Sequence, residues 1–184
     1  VGEKGHGNQS FPCSFDFRYY KDIYIVKTNL NGAALWQKTH GNEYLEKGTD
    51  IVAKESGGYI IAGEKCDHGY NIYSCDNRAK IILLEIDEDG NSNQETILNN
   101  LYFFEAGSPI SISNTSNGGY VFVSKPKNNG YTWFYKWGQN ENSIDLKLEN
   151  AGYGGESIEM SNDGGFIIGT SGSTIIKTDQ ELNF

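Results

Sequence analysis

The sequence predicts an all-β chain, a β-propeller or a large piece of one, built from four-stranded antiparallel units. Three recurrences carry this prediction. A Gly-Gly-aromatic turn stands at Gly57-Gly58-Tyr59, Gly118-Gly119-Tyr120 and Gly164-Gly165-Phe166, each followed by an apolar run. An apolar strand closing on an Asp/Asn turn stands at Ile23 to Gly32 and Ile81 to Gly90, more weakly at Trp133 to Lys136, and again at Ile175 to Asp179. A strand that opens on glycine precedes each Gly-Gly turn, over 48–56, 107–117 and 155–163.

Together these anchors give four strands per unit. In the first unit they fall at 22–29, 33–40, 49–55 and 58–64. Asn31-Gly32 and Gly57-Gly58 read as two-residue hairpin turns, in which both central positions need a positive φ. The strands alternate only loosely between apolar and polar, which fits sheets buried on both faces. One four-stranded sheet cannot cover both of its own faces, and stacking sheets does so. One domain over 1–184 follows, with repeat units at about 22–64, 79–125 and 131–171. Residues 1–4 mirror 62–65, and 174–184 begin a further unit, so a split fourth unit joins the two. Two arrangements fit: a closed four-bladed ring, with 1–4 pairing beside 174–184, or a fragment of a larger propeller.

Composition agrees with many short strands and tight turns. The 184 residues include 23 Gly and 12 Tyr but only 3 Pro and 1 Met. The net charge of −9 excludes nucleic acid as a partner, because that role needs a basic footprint. No apolar stretch is long enough to span a membrane as a helix. No basic-then-apolar leader follows Val1, which fits a leader removed or never included.

The segment from Asp22 through Asn31-Gly32, then Leu35-Trp36-Gln37-Lys38, Gly41, Gly48-Thr49-Asp50-Ile51 and Ser56-Gly57-Gly58-Tyr59-Ile60-Ile61-Ala62-Gly63, resembles the repeat of secreted bacterial β-propeller proteins. The likeness covers the whole chain and is weakest where Trp137-Gly138-Gln139-Asn140 replaces the turn. The resemblance implies a propeller fold and an extracellular or cell-surface location. It carries over no catalytic residues.

Cys66 and Cys75 flank an insertion at 65–79 that also holds His68. A disulfide pinning this loop is the favoured reading. A zinc site is the competing one, but it has only three local ligands at an uncommon spacing. Cys13 is left odd, free or paired outside the chain. Asp87 to Asn91 looks like a calcium loop, but Leu98 stands where an EF-hand needs glutamate, so a hairpin turn is favoured. His40 reads as a loop residue, and His6 and His68 as equivalent loop positions. The carboxylates of pairs such as Asp50/Glu55 and Glu156/Glu159 read as solvated strand edges.

Aromatics are the more suggestive set. Trp133, Tyr135 and Trp137 alternate, which places them on one face of a strand. Tyr19, Tyr20, Tyr70, Tyr73 and Trp137 are the candidate residues for binding a ligand or partner. The expectation is a non-catalytic binding or structural module, with no cofactor and no metal. It acts through its loops or by assembly with a protein partner or further copies of itself. A carbohydrate-active propeller, either a lectin or a glycan hydrolase or lyase, is the alternative.

Overall fold

The computed structural model describes residues 2–5, 21–42, 45–66, 79–98, 110–124, 132–138, 141–149 and 154–183. These residues form fourteen β-strands and no helix. In chain order the strands are β1 (Gly2–Gly5), β2 (Lys21–Thr28), β3 (Ala34–His40), β4 (Leu45–Ala53), β5 (Tyr59–Cys66), β6 (Ala79–Ile86) and β7 (Ser92–Leu98). They continue with β8 (Ile110–Asn114), β9 (Tyr120–Ser124), β10 (Thr132–Gly138), β11 (Glu141–Glu149), β12 (Gly155–Met160), β13 (Phe166–Thr170) and β14 (Ile175–Thr178).

Hydrogen bonding sorts them into four antiparallel ladders. Ladder 1 is β1-β2-β3 and ladder 2 is β4-β5-β6-β7. A single parallel bridge, Lys21 to Leu45, joins these two into one curled seven-stranded sheet. Ladder 3 is β8-β9-β10-β11, and ladder 4 is β12-β13-β14. The sequence repeat is thus out of phase with the ladders. The unit at 22–64 places β2 and β3 in ladder 1 but β4 and β5 in ladder 2. The unit at 79–125 is split in the same way between ladders 2 and 3. The pairing expected between 1–4 and 174–184 is not found among the described residues. Gly2 to Gly5 pair with Tyr24 to Lys21, and β14 pairs with β13. The strand that directly follows the first connection, β2, takes the place beside β1 that the sequence gives to 174–184, and β1 stands at the edge of its sheet.

The tight turns share one geometry. The amide at the fourth position returns to the carbonyl of the first, and the first amide to the carbonyl of the fifth, beginning at Asn29, Lys54, Asp87, Thr115, Ser161, Thr170 and Asp179. The fourth residue has a positive φ in every case: Gly32, Gly57, Gly90, Gly118, Gly164, Ser173 and Leu182. The turns are therefore longer than the two-residue type, a β-turn followed by one left-handed residue. Asn29, Asp87 and Asp179 hold theirs with a side-chain oxygen that accepts the amides two and four residues on. The second glycine of the Gly-Gly pair answers a different need. A Cβ on Gly58 would lie 2.2 Å from the Ile86 carbonyl oxygen, and one on Gly165 2.1 Å from that of Thr178.

Strand periodicity distributes the core. Ladders 1 and 2 enclose Ile23, Ile25, Ile61, Ile82, Leu84 and Ile86. Ladders 2 and 3 enclose Ile60, Ala62, Ile81, Leu83, Ile112, Tyr120, Phe122 and Tyr135, among others. Ladders 3 and 4 enclose Val121, Val123, Phe134, Ile158, Phe166 and Ile168. Successive residues of one strand therefore point into different cores: Ile60 toward ladder 3, Ile61 toward ladder 1. This is why β5, β6 and β9 read as continuous apolar runs. Each ladder thus has a front face turned to the next ladder and a rear face turned to the previous one. Burying one such isoleucine stabilises the stack by about 1.5–3 kcal/mol.

Candidate functional site

The register aligns the strand ends from which the long connections leave. Gly5 pairs with Lys21, Lys21 with Leu45, Leu45 with Cys66 and Cys66 with Ala79. The segments 6–20, 43–44 and 67–78 are therefore attached side by side at one end of ladders 1 and 2. The opposite end carries the tight turns.

Beneath these attachment points lies a buried ionic floor. Asp22, Glu46, Glu64 and Lys65 are all under a tenth exposed. β4 and β5 place them through the pairs Glu46 to Lys65, on the face of ladder 2 turned to ladder 1, and Lys47 to Glu64, on the face turned to ladder 3. Lys65 Nζ lies 2.8 Å from Glu95 Oε1 and 3.5 Å from Glu46 Oε1, and Lys47 Nζ lies 3.7 Å from Glu64 Oε1. Burial pushes the Glu46 carboxyl above its ordinary value, against the opposing pull of Lys65. For Lys65 burial acts downward, but Glu95 and Glu46 together outweigh it and the ammonium is held above its ordinary value. Lys65 pairs with Glu46 and Glu95 on one face and Lys47 with Glu64 on the other, and pairing is what makes burial of these charges tolerable. Gly41 belongs to the same floor, since a Cβ there would lie 2.5 Å from Asp22 Oδ1.

A second concave feature lies along the strands that open ladders 2, 3 and 4. Asp50, Ser111, Ser157 and Glu159 line a cleft of about 490 Å³, together with Ile51, Ile112 and Ile175. Asp50 is not a free acid here. Its carboxylate accepts the Ser111 hydroxyl at 2.8 Å and the amides of Ile51 at 2.8 Å and Ile112 at 3.0 Å. Glu55 sits in the following turn, so Asp50 and Glu55 do not form a facing pair.

Of the candidate binding residues, Tyr19, Tyr20, Tyr70 and Tyr73 lie outside the described residues, as do Cys13, Cys75, His6 and His68. Trp137 is half-buried and packs on the core between ladders 2 and 3, its ring 5.6 Å from that of Tyr120. Tyr135 shares that face, as the alternation predicts. Cys66 is disulfide-bonded at the end of β5, and Cys75, its expected partner, lies outside the described residues. His40 is the last residue of β3 rather than a loop residue. Its Nε2 sits 2.9 Å from the Gly90 carbonyl, and burial lowers its pKa. Asp87 to Asn91 form the turn between β6 and β7. No group of three or more His, Cys, Asp or Glu among the described residues is placed to hold a metal ion. The ionic floor escapes sequence reading because Glu46 and Lys65 look like ordinary surface charges until β4 and β5 are in register.

No protein-family model matches the chain, and no curated protein matches it. Among solved structures it is similar to a protein of unknown function from Bacteroides caccae, determined at 1.35 Å. The match has a TM-score of 0.51 at 8% sequence identity and covers 83% of this chain and 48% of that one. The chain thus spans about half the length of that neighbour, and the likeness concerns the fold alone.

Proposed function

We propose that the four ladders are blades of a β-propeller and that the chain is a non-catalytic binding module of an exported or cell-surface protein. The observation that carries this reading is the row from Gly5 to Ala79. It sets three connections side by side over a floor of paired charge, while tight turns close the other end. Connections held by a rigid scaffold are where binding residues concentrate. Tyr19, Tyr20, Tyr70 and Tyr73 fall in two of these connections and supply amphipathic contact surface for a protein partner. The disulfide at Cys66 fits an oxidising compartment, and the repeat resembles secreted propeller proteins. The test is binding to arrayed extracellular proteins and glycans, comparing wild type with Tyr70→Ala/Tyr73→Ala and with Lys27→Ala at the turn end. Signal lost only in the tyrosine variant supports the reading. Signal unchanged in that variant overturns it.

The cleft favours a second reading, a carbohydrate-active module, because Asp50, Ser111, Ser157 and Glu159 line it beside apolar isoleucines. Glycan binding abolished by Glu159→Gln and indifferent to the tyrosines would favour this reading over the first.

A further inference from the structure

Two Asn-Gly pairs stand in the tight turns, Asn31-Gly32 and Asn117-Gly118, and another, Asn129-Gly130, lies outside the described residues. In both turns the asparagine is the third residue, is exposed, and precedes a glycine of positive φ, +79° and +81°. The glycine amides are held alike, Gly32 at 3.0 Å from the Asn29 carbonyl and Gly118 at 3.2 Å from that of Thr115. The asparagine side chains are not held alike.

The first residue of the turn makes the difference. Thr115 donates its hydroxyl to Asn117 Oδ1 at 2.5 Å and accepts the Gly119 amide at 2.8 Å. In the matching turn of ladder 4, Ser161 ties Asp163 in the same way. Asn29 instead accepts the backbone amides of Asn31 and Ala33, both at 3.0 Å. The side-chain amide of Asn31 is left with no hydrogen bond among the described residues. The matching turn of ladder 2 shows that this belongs to the turn and not to its surroundings. Ladder 1 grips that turn, with Trp36 donating to the Glu88 carbonyl at 3.0 Å and Lys38 to Asn91 Oδ1 at 3.1 Å. Asp89, which stands where Asn31 does, is nevertheless exposed, and its side chain too has no hydrogen bond among the described residues.

We propose that Asn31 is a site of spontaneous deamidation and that the Thr115 hydroxyl protects Asn117 from the same reaction. A glycine nitrogen can approach the preceding side chain closely because no Cβ screens it. The Gly32 nitrogen gives up its proton and attacks Asn31 Cγ. The bond from Cγ to the side-chain nitrogen breaks, and ammonia leaves with that proton. A succinimide ring remains, and water opens it at either carbonyl to give aspartate or isoaspartate. Both products add a negative charge, and isoaspartate also lengthens the backbone of the turn by a methylene group. At Asn117 the side chain must first break its bond to Thr115 before Cγ can turn toward the Gly118 nitrogen. The site lies at the end opposite the long connections, so it goes beyond the binding role and stands or falls separately from it.

The 184-residue chain is incubated in mildly alkaline buffer, folded and in concentrated urea, and both sites are followed by peptide mapping with mass spectrometry. Enzymatic methylation of isoaspartate identifies the product. In the folded chain Asn31 is expected to react at least about fivefold faster than Asn117, the factor that one ordinary hydrogen bond supplies. In urea the two rates are expected to converge. Thr115→Val is expected to raise the Asn117 rate and leave that of Asn31, in the same sample, unchanged. Thr115→Ser keeps the hydroxyl and is expected to keep the protection. Folded-state rates that are equal, or a ratio that persists in urea, would overturn the proposal. So would an Asn117 that stays slow in Thr115→Val, or that becomes fast in Thr115→Ser.

Discussion

The carboxylate of Asp50 in β4 reaches out of its own ladder and accepts the hydroxyl of Ser111 in β8 at 2.8 Å. The relationship then repeats one ladder on. Ser111 stands where ladder 2 has Asp50, and its hydroxyl accepts the amide of Ile158 in β12 at 3.2 Å. Ser113 does the same for Met160 at 3.1 Å. A side chain on the front of each opening strand thus satisfies a backbone donor of the next. Asp50 also takes the amide of Ile112, so removing it leaves a half-buried donor and a hydroxyl without their acceptor. Asp50→Ala is expected to destabilise the fold by about 1.5–3 kcal/mol, and Asp50→Asn by less, because an amide oxygen still accepts. Urea unfolding measures both. An Asp50→Ala midpoint equal to that of wild type would show that the tie contributes nothing.

Gly58 and Gly32 both have a positive φ, +81° and +79°, but only Gly58 is crowded. An alanine Cβ at Gly32 has nothing within 4 Å, so Gly32→Ala costs only left-handed strain, about 1–2 kcal/mol. At Gly58 the same methyl group lies 2.2 Å from the Ile86 carbonyl oxygen, in the hydrogen-bonded pair of β5 and β6. Gly58→Ala is therefore expected to cost clearly more than Gly32→Ala, since β5 must shift relative to β6. Melting temperatures of the two variants decide it. Equal losses would mean that conformation alone, and not the close approach, requires glycine here.

The strands were legible because their chemistry is local. Ile60-Ile61-Ala62 after a Gly-Gly turn reads as a strand with two buried faces, and the structure puts Ile60 and Ile61 in different cores. The grouping of strands into ladders was not legible. The repeat from Asp22 to Glu64 is continuous in sequence, whereas the break between ladders falls between β3 and β4, where only Lys21 and Leu45 bridge them. Such a boundary depends on long-range pairing and leaves no local mark. Turn type was half legible: Asn31-Gly32 announces a turn, but the five-residue span is set by the Asn29 side chain, two residues earlier. Of the site, the tyrosines and cysteines were chosen as residue types, while the buried floor of Glu46 and Lys65 exists only through register.

Cys66 supplies a third prediction. It is disulfide-bonded, and the chain's other two cysteines are Cys13 and Cys75. Cys66 pairs in register with Ala79, and Cys75 stands four residues before Ala79 in sequence. Proteolysis without reduction is expected to release a linked peptide containing Cys66 and Cys75, with Cys13 open to alkylation. Reduction is expected to destabilise the fold by about 2–4 kcal/mol. A linked peptide joining Cys66 to Cys13 would replace this pairing with a bridge between the connections of ladders 1 and 2.

Glu46 gives the pH dependence. Burial disfavours its charged form, so its folded-state pKa lies above that of the unfolded chain. Between those two values the folded protein holds a proton that the unfolded chain has released. Stability from this group is therefore present at low pH and lost as pH rises through the raised folded value. Above that value the carboxylate is charged in a buried place, with Lys65 at 3.5 Å as its ion-pair partner and Asp22 repelling it. Glu46→Gln removes the titration while keeping shape and polarity. Lys65 keeps Glu95 at 2.8 Å, so the substitution does not strand a buried ammonium. The variant is expected to be more stable than wild type at neutral pH, with the difference shrinking as pH falls to about 4, the ordinary carboxylate range. Melting curves across that range, wild type against variant, measure the difference directly. A variant less stable than wild type at neutral pH would mean that the Lys65 pair outweighs the cost of burying the Glu46 charge, and the ionic floor would then be a net stabiliser of the ladders rather than a cost they carry.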